Sequence, residues 1–293
     1  MGPVALSVAD LDRQINFYRD VLRLAVNWQH PGAAGMGAGG KDLIRLFAEP
    51  GFRRYRGVTG LYHVAILFPD RRELARVVAR LLSLRVRNYP TDHIMTKTTY
   101  LDDPEGNGIE LYAESPEDGV FEISGDQFSA RRADGTPTDG REPLDVDALL
   151  SHLREGDRLD APAPHITRIG HIHLHVANVD EAVDFYHGVI GFDLMGRSRS
   201  FQAAFVSAGG YHHHVGLNSW QGEGAPPPPD DALGLRYFTV ELPQEQALQD
   251  VLVRIHGAGL ATKTTDAGVL IRDPSGNSLV LSTPGSARAS VSS

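Results

Sequence analysis

Apolar and polar positions follow one another along the chain in a pattern that predicts the same run of elements four times. Each of four segments begins with a short, largely apolar strand, continues into an amphipathic helix and ends in further strands, which gives the order β-α-β-β-β. The opening strands are expected at residues 4–8, 63–68, 171–176 and 237–242. Such a repeat indicates a mixed α and β fold before any single residue is interpreted.

Helix and turn patterns show that the first unit is most similar to the third, and the second unit to the fourth. Residues 179–186 of the third unit parallel residues 11–18 of the first, and the two helices are expected to end near Leu24 and Gly191. The second and fourth units instead share an Asp-Pro-x-Gly-Asn sequence that begins at Asp103 and Asp273. This sequence is typical of a tight turn that leads into a final strand.

These patterns divide the chain into two pairs of units joined by a linker. The linker is rich in Gly, Asp and Pro and contains one predicted helix near residues 146–153. The predicted boundaries are 1–114 for the first pair (units 1–50 and 58–114), 115–165 for the linker, 166–285 for the second pair (units 166–221 and 234–285) and 286–293 for a tail.

Composition narrows the possible partners and ligands. The net charge of -9 and the lack of a Lys/Arg run argue against nucleic acid as a partner. The sequence has no stretch of about 20 apolar residues, so no membrane span is predicted. Since residues 1–4 show no basic-then-apolar leader, a cytoplasmic location is the expectation. Because the chain contains no Cys, its 13 His residues and its carboxylates are the strong metal ligands that remain.

Two histidines occupy equivalent positions in two of the units. His63 stands seven positions before Asp70, and His171 stands seven positions before Asn178. Asp70 and Asn178 are the residues expected to start the helices, so the alignment rests on the helix N-caps. Two units therefore offer an imidazole at the same place on the opening strand.

A carboxylate completes a candidate metal site. Glu110 lies on the final strand of the second unit, whereas the fourth unit has Val280 there, and the histidine position is Pro3 in the first unit and Tyr237 in the fourth. A single strand histidine is more often a core residue. Two histidines with one carboxylate, however, suit Fe(II) with open coordination positions, and a metal removes the cost of a carboxylate in a strand-lined interior.

Further histidines surround these candidates. The run His212 to His214 is predicted in the final strand of the third unit, where alternation directs His213 opposite to its two neighbours, so one or two of the three reach the cavity. His173 and His175 share the face of His171 on the opening strand. They either line the pocket or are ordinary strand-surface residues.

Three aromatic residues are candidates for the wall of a ligand pocket. Trp220, Phe201 and Tyr112 can hold an aromatic ring if they lie beside the metal site. Large aromatic side chains are more often plain core, so core placement is the expectation.

The βαβββ repeat, the two histidine positions and the Gly-Asn-Gly-Ile-Glu strand that ends at Glu110 resemble the vicinal oxygen chelate superfamily, specifically its extradiol catechol dioxygenases. The resemblance spans nearly the whole chain. It implies an α+β fold in which four βαβββ modules pair into two open, barrel-like curved mixed sheets with the helices outside. It also implies an Fe(II) enzyme, with Mn(II) as the alternative metal, that inserts both atoms of O2 into a catechol-type diol to give a semialdehyde.

The resemblance further implies a role for individual residues. In that family one module supplies a His and a His pair, and its partner supplies a His, a Tyr and a Glu. Here it implies His63, Glu110 and His171 as metal ligands. It also implies His213 as the catalytic acid/base in contact with substrate and Tyr100, ten residues before Glu110, as a catalytic hydrogen-bond donor to substrate.

Some assignments stay open within this resemblance. His93 resembles a supporting catalytic histidine, and His173 is a candidate substrate contact. Val215 and the small Gly216, which follow the histidine run, favour His213 over His214 as the acid/base. The order departs from the family, because the active modules are the second and third rather than the third and fourth. They can pair within one chain or between the subunits of a homo-oligomer.

Two rival functions follow from the same residues. Another metal-dependent activity of the superfamily, such as a glyoxalase-type isomerase or lyase, shares the fold and the metal positions. Those enzymes generally use two carboxylates, whereas the third unit offers the histidine run in place of the second one. The other rival is a metal-free protein that binds an aromatic ligand without chemistry, and His63, Glu110, His171 and Tyr100 together argue against it.

Overall fold

The computed structural model describes residues 1–124 and 127–284, and it contains the four predicted βαβββ units. The predicted tail, 286–293, lies outside the described residues. The first unit comprises Val4–Val8 (β1), Leu11–Asn16 (α1), Ala25–His30 (β2), Ala33–Ala38 (β3) and Lys41–Ala48 (β4). The second comprises Gly60–Leu67 (β5), Arg71–Ser83 (α2), Tyr89–Asp92 (β6), Thr96–Asp102 (β7) and Gly108–Glu114 (β8).

The segment between the second and third units has more structure than the predicted linker. After a short 3₁₀ turn at Pro116–Asp118, it contains Gly119–Ser124 (β9), Gln127–Arg132 (β10), Pro137–Thr138 (β11), Glu142–Pro143 (β12) and Val146–Leu150 (α3). Strands β9 to β11 form a small separate sheet, and β12 pairs with β6. The guanidinium of Arg76 on α2 donates to the carbonyls of Ala161 and Pro162, so the segment is fixed against the second unit.

The third and fourth units follow the same order as the first two. The third comprises Arg168–His175 (β13), Val179–Val183 (α4), Asp193–Ser198 (β14), Ala203–Ser207 (β15) and Val215–Asn218 (β16). The fourth comprises Gly234–Glu241 (β17), Glu245–Gly257 (α5), Lys263–Thr265 (β18), Gly268–Arg272 (β19) and Ser278–Ser282 (β20). Helices α1 and α4 each continue as a π-helical segment, at Phe17–Val21 and Asp184–Ile190, close to their predicted ends.

The helix starts confirm the alignment of the units. The Asp70 side chain accepts a hydrogen bond from the backbone N–H of Glu73, and Asn178 accepts from Asp180 and Glu181. Both are therefore true N-caps. The seven-residue offset that makes His63 and His171 equivalent is thus a structural fact as well as a sequence pattern.

Two large mixed sheets contain the four units. One has nine strands in the order β12-β6-β7-β8-β5-β13-β16-β15-β14, and the other has eight in the order β18-β19-β20-β17-β1-β4-β3-β2. The curved, open sheets confirm the predicted α+β class. The second and third units share one sheet through β5 and β13, and the first and fourth share the other through β1 and β17, so each sheet joins one unit from 1–114 and one from 166–285.

The two Asp-Pro-x-Gly-Asn turns connect the two sheets. The hydroxyl of Tyr18, on the helix of the first unit, donates to Asp103 in the second, and Tyr186 of the third unit donates to Asp273 in the fourth. All four side chains are buried. Because the first and fourth units lie in one sheet and the others in its partner, each bond crosses from sheet to sheet. None of the helices in the described ranges combines the length and apolar character needed to cross a membrane.

Candidate metal centre

The nine-stranded sheet brings His63, Glu110 and His171 together on three adjacent strands. Ala65 on β5 pairs with Glu110 on β8 at one side and with His171 on β13 at the other. His63 lies two positions before Ala65, so its side chain shares their face of the sheet. The two modules therefore pair within one chain.

The three side chains converge on a single point. The Oε2 atom of Glu110 lies 3.0 Å from Nε2 of His63 and 3.2 Å from Nε2 of His171, and the two Nε2 atoms are 3.4 Å apart. All three residues are buried, with at most 5% of each exposed. The other carboxylate oxygen, Oε1, accepts a hydrogen bond from Thr98, which leaves Oε2 directed at the imidazoles.

The donor set fits a divalent cation. The ligand atoms of His63, Glu110 and His171 all lie within 4.8 Å of one another. Glu110 has no Lys or Arg partner among the ion pairs of the described residues, although a buried carboxylate is costly without a compensating charge. A cation such as Fe(II) would supply that charge, and two imidazoles with one carboxylate are ligands that it accepts.

The protonation states of Glu110 and His171 near neutral pH also suit metal binding. Burial alone would raise the pKa of Glu110, but the adjacent His171 and His63 outweigh it and hold that pKa well below its usual value. Burial lowers the pKa of His171 even though Glu110 opposes this shift. The carboxylate is therefore ionised and the imidazole of His171 neutral, which are the forms that bind metals.

The histidine run lies beside this cluster but outside the strand in which it was predicted. Strand β16 begins at Val215, so strict alternation does not apply to the three histidines before it. His212 and His213 both line the cavity, and their ligand atoms lie within 4.8 Å of that of His171. His214 is turned elsewhere, with its Nδ1 accepting hydrogen bonds from Ser207 and the backbone of Ala208.

Tyr100 and His93 form the opposite wall of the cavity. Tyr100 on β7 is the strand partner of Glu110, and its hydroxyl lies 2.9 Å from Nε2 of His93. The Nδ1 atom of His93 lies 2.8 Å from the carbonyl oxygen of Gly140, which belongs to the segment between the units. Burial, followed by the charge of Glu110, raises the pKa of Tyr100 well above its usual value, so its hydroxyl keeps its proton.

The third unit lacks a carboxylate at the position that corresponds to Glu110. Ala65, two positions after His63, pairs with Glu110; likewise His173, two positions after His171, pairs with Gly216. A Cβ added to Gly216 would lie only 2.8 Å from the ring of His173. The imidazole of His173 thus fills the space of a second carboxylate, and its buried Nε2 has no hydrogen-bond partner among the described residues.

The eight-stranded sheet holds no equivalent centre. Arg45 pairs with Ala5 as Glu110 pairs with Ala65, so a guanidinium stands in the carboxylate position and bonds to Asp42. The described part of the chain, 1–124 and 127–284, has two groups of possible ligands, and both include His171 of the nine-stranded sheet. The first and fourth units, which form the eight-stranded sheet, contribute no residue to either group.

Comparison with known proteins places the chain in a family. The model of the glyoxalase/bleomycin resistance protein/dioxygenase superfamily matches residues 1–111 and 168–281. The chain belongs to this superfamily. Within it, a catechol-2,3-dioxygenase of Bacillus subtilis (strain 168) is 39% identical over 277 residues, which cover 94% of this chain and 93% of that protein.

Solved structures of superfamily proteins confirm the fold. A candidate dioxygenase from Bacillus subtilis superposes with a TM-score of 0.65 at 17% identity, covering 98% of this chain and 87% of its own. Glyoxalase I from Zea mays superposes with a TM-score of 0.57 at 14% identity, covering 98% and 92% respectively. At these identities the likeness concerns the fold alone.

Several residues of this superfamily member's cavity were not predicted from its sequence. The cavity has a volume of about 450 Å³. The unpredicted lining residues are Tyr62, Met95, Thr96, Phe121, Asp139, Gly140, Arg141, Met195 and Phe205. Trp220 and Phe201 also line it, which corrects their expected placement in the core, whereas Tyr112 is fully buried in the core as expected.

Proposed function

We propose that the chain is an extradiol ring-cleaving dioxygenase that uses O2 to open a catechol-type diol, with His63, Glu110 and His171 as ligands of Fe(II) and Mn(II) as the alternative. The buried convergence of two imidazoles and one carboxylate on a single point carries this proposal. The 39% identity to a catechol-2,3-dioxygenase over most of both chains supports it.

Three ligands leave room for substrates beside them. When bound, Fe(II) supplies open coordination positions for the diol and for O2, together with an electronic path between them. The protein's own contribution is orientation, because holding both reactants beside one another removes much of the entropic cost of their encounter.

His213 is the proposed acid/base. Its ring centroid lies 4.1 Å from that of His171, which brings it next to the ligand cluster. Burial holds its pKa well below the usual value, so the ring is neutral and able to accept a proton from a diol hydroxyl. The ring nitrogen of His213 that accepts this proton would return it later in the reaction.

Tyr100 and His173 are the proposed substrate contacts on the two sides of His63. Their ring centroids lie 5.5 Å and 5.2 Å from that of His63. Tyr100 keeps a hydroxyl proton that can be donated to a substrate oxygen, and His93 holds that hydroxyl in place. His173 offers the unpartnered Nε2 described above.

The remaining wall is apolar and suits an aromatic ring. Phe205 packs edge-on against His173 and His213, and Trp220 packs against His173. Such a wall holds a planar substrate beside the ligands and excludes water from the reacting atoms. Apolar burial of the aromatic ring and polar contacts to the diol oxygens then together hold the substrate in place.

A glyoxalase-type reaction is disfavoured by the third unit. Enzymes of that type generally use a carboxylate from each active module, but Gly216 stands at that position and the ring of His173 takes the space. The fold likeness to glyoxalase I from Zea mays therefore does not extend to a second carboxylate ligand.

The decisive experiment is reconstitution with Fe(II) under anaerobic conditions, followed by addition of catechol and air. We expect O2 uptake in equal amount to catechol consumed, with a yellow semialdehyde product. Glu110→Ala protein treated in the same way is the control for reaction in free solution. Absence of O2 uptake with a series of substituted catechols, while a hemithioacetal is converted, would establish the glyoxalase-type alternative instead.

A further inference from the structure

The loop that carries His212 and His213 has little support from its own backbone. Residues 209–210 are both glycines with positive φ, of 67° and 75°. Within the described ranges, the backbone groups of residues 211–213 take part in none of the backbone hydrogen bonds, and the first such bond is accepted by His214 from Ile172. Side chains must therefore hold this loop in place.

Tyr211 provides a side-chain anchor in the second unit. The hydroxyl of Tyr211 donates a hydrogen bond to Oε1 of Glu114 at the end of β8. The hydroxyl oxygen of Tyr112 lies 2.6 Å from the hydroxyl oxygen of Tyr211. Because Glu114 as a carboxylate can only accept, Tyr211 uses its proton there and receives a second bond from Tyr112. Burial raises the pKa of both tyrosines, so both remain donors.

This hydrogen-bonded network lies directly against the candidate centre. Tyr112 and Glu114 follow Glu110 at two-residue intervals on β8, so all three share one face of the strand. The ring centroid of Tyr112 lies 5.2 Å from that of His171, and the ring centroid of Tyr211 lies 4.1 Å from that of His212. One strand thus carries the proposed carboxylate ligand and the anchor of the histidine loop.

We propose that Tyr211, held by Glu114 and Tyr112, is a positioning residue that fixes loop 209–213 so that His213 faces the ligand cluster. The hydroxyl network acts across the boundary between the second and third units, since Tyr211 belongs to one and Glu114 to the other. The inference rests on the proposed function only for the role of His213.

The test is a cycle of variants assayed with Fe(II) and catechol. Tyr211→Phe removes the hydroxyl but keeps the ring, and we expect kcat to fall by about 10–100-fold with KM and iron content nearly unchanged. In a His213→Asn background, Tyr211→Phe should lower kcat by less than about twofold, because that background no longer contains the acid/base that Tyr211 would position. An unchanged kcat, or an equal loss in both backgrounds, would refute the proposal.

A second readout does not depend on activity. Amide hydrogen exchange of residues 209–214 in the metal-free protein should be faster in Tyr211→Phe than in wild type, and Glu114→Gln, which keeps an acceptor oxygen, should restore much of the protection that Glu114→Leu loses. The matched control is Tyr55→Phe, which removes a tyrosine bond to Asp231 outside the cavity. Equal exchange in wild type and Tyr211→Phe would overturn the proposal, whether or not the protein cleaves catechol.

Discussion

Tyr100 donates a hydrogen bond to His93, with 2.9 Å between the hydroxyl oxygen and Nε2. The direction follows from the other ring nitrogen, Nδ1, which lies 2.8 Å from the carbonyl oxygen of Gly140. A carbonyl can only accept, so Nδ1 carries a proton, and in the tautomer with a single ring proton Nε2 accepts from Tyr100. The Tyr100 proton is therefore directed at His93, and a substrate oxygen receives it only after the hydroxyl turns.

Tyr100→Phe tests the contribution of that proton. We expect kcat for catechol cleavage to fall by about 100–1,000-fold, the range found when a single donor to developing charge is removed. Iron content should stay at the wild-type value, because Tyr100 is not in the ligand cluster. His93→Ala in the Tyr100→Phe background should cost little more, and a large additional loss would mean that His93 acts independently of Tyr100.

Glu110→Ala tests the ligand assignment. The substitution removes the carboxylate that both imidazoles face, and we expect loss of bound iron and of activity from a protein with an unchanged circular dichroism spectrum. Glu155→Ala, at an exposed position, is the control and should retain iron. Wild-type turnover by Glu110→Ala would remove this residue from the site.

His213→Asn separates an acid/base from a ligand. The variant should bind iron as wild type does and lose about 10²–10⁴-fold in kcat, the usual contribution of a positioned acid/base. Loss of iron together with activity would assign His213 to the metal, as the second cluster of His171, His212 and His213 allows.

Much of the fold follows from local patterns in the sequence. N-caps such as Asp70 and Asn178 act within one turn of their own helix, so their positions can be aligned without knowledge of the fold. That alignment made His63 and His171 equivalent. The Asp-Pro-x-Gly-Asn turn that precedes Glu110 predicts the strand of Glu110 from local sequence in the same way.

The parts of the cavity that the sequence does not predict depend on contacts between residues distant in the chain. Gly140 lies at the cavity because β12 pairs with β6 and because the carbonyl of Gly140 bonds to His93, and no local pattern predicts that docking. The repeat predicts that the final strand of the third unit includes the histidine run, whereas β16 begins only at Val215. Phe201 and Trp220 likewise lie in two separate loops that meet at the cavity, where Nε1 of Trp220 donates to the carbonyl of Phe201.

Gly216→Ala tests the pairing of His173 with a glycine. The added Cβ would lie 2.8 Å from the ring, so the imidazole must move, and we expect a severalfold rise in KM for catechol with iron retained. The same substitution in a His173→Ala background should have little effect on KM, since the space is then free. Equal effects in both backgrounds would show that Gly216 acts through the strand and not through His173.

His214→Asn tests a pH dependence of stability in the metal-free protein. Burial lowers the pKa of His214 to about 4, against about 6.5 for an unfolded chain. Between these values the unfolded state binds the extra proton, so the free energy of unfolding falls as the pH decreases from about 6.5. Asn offers an oxygen where Nδ1 accepts from Ser207 and Ala208, but it does not titrate. Urea unfolding at pH 7 and pH 5 should therefore show a smaller loss of stability in His214→Asn than in wild type or in the exposed His152→Asn control. An identical loss in all three proteins would contradict the buried, neutral state of His214.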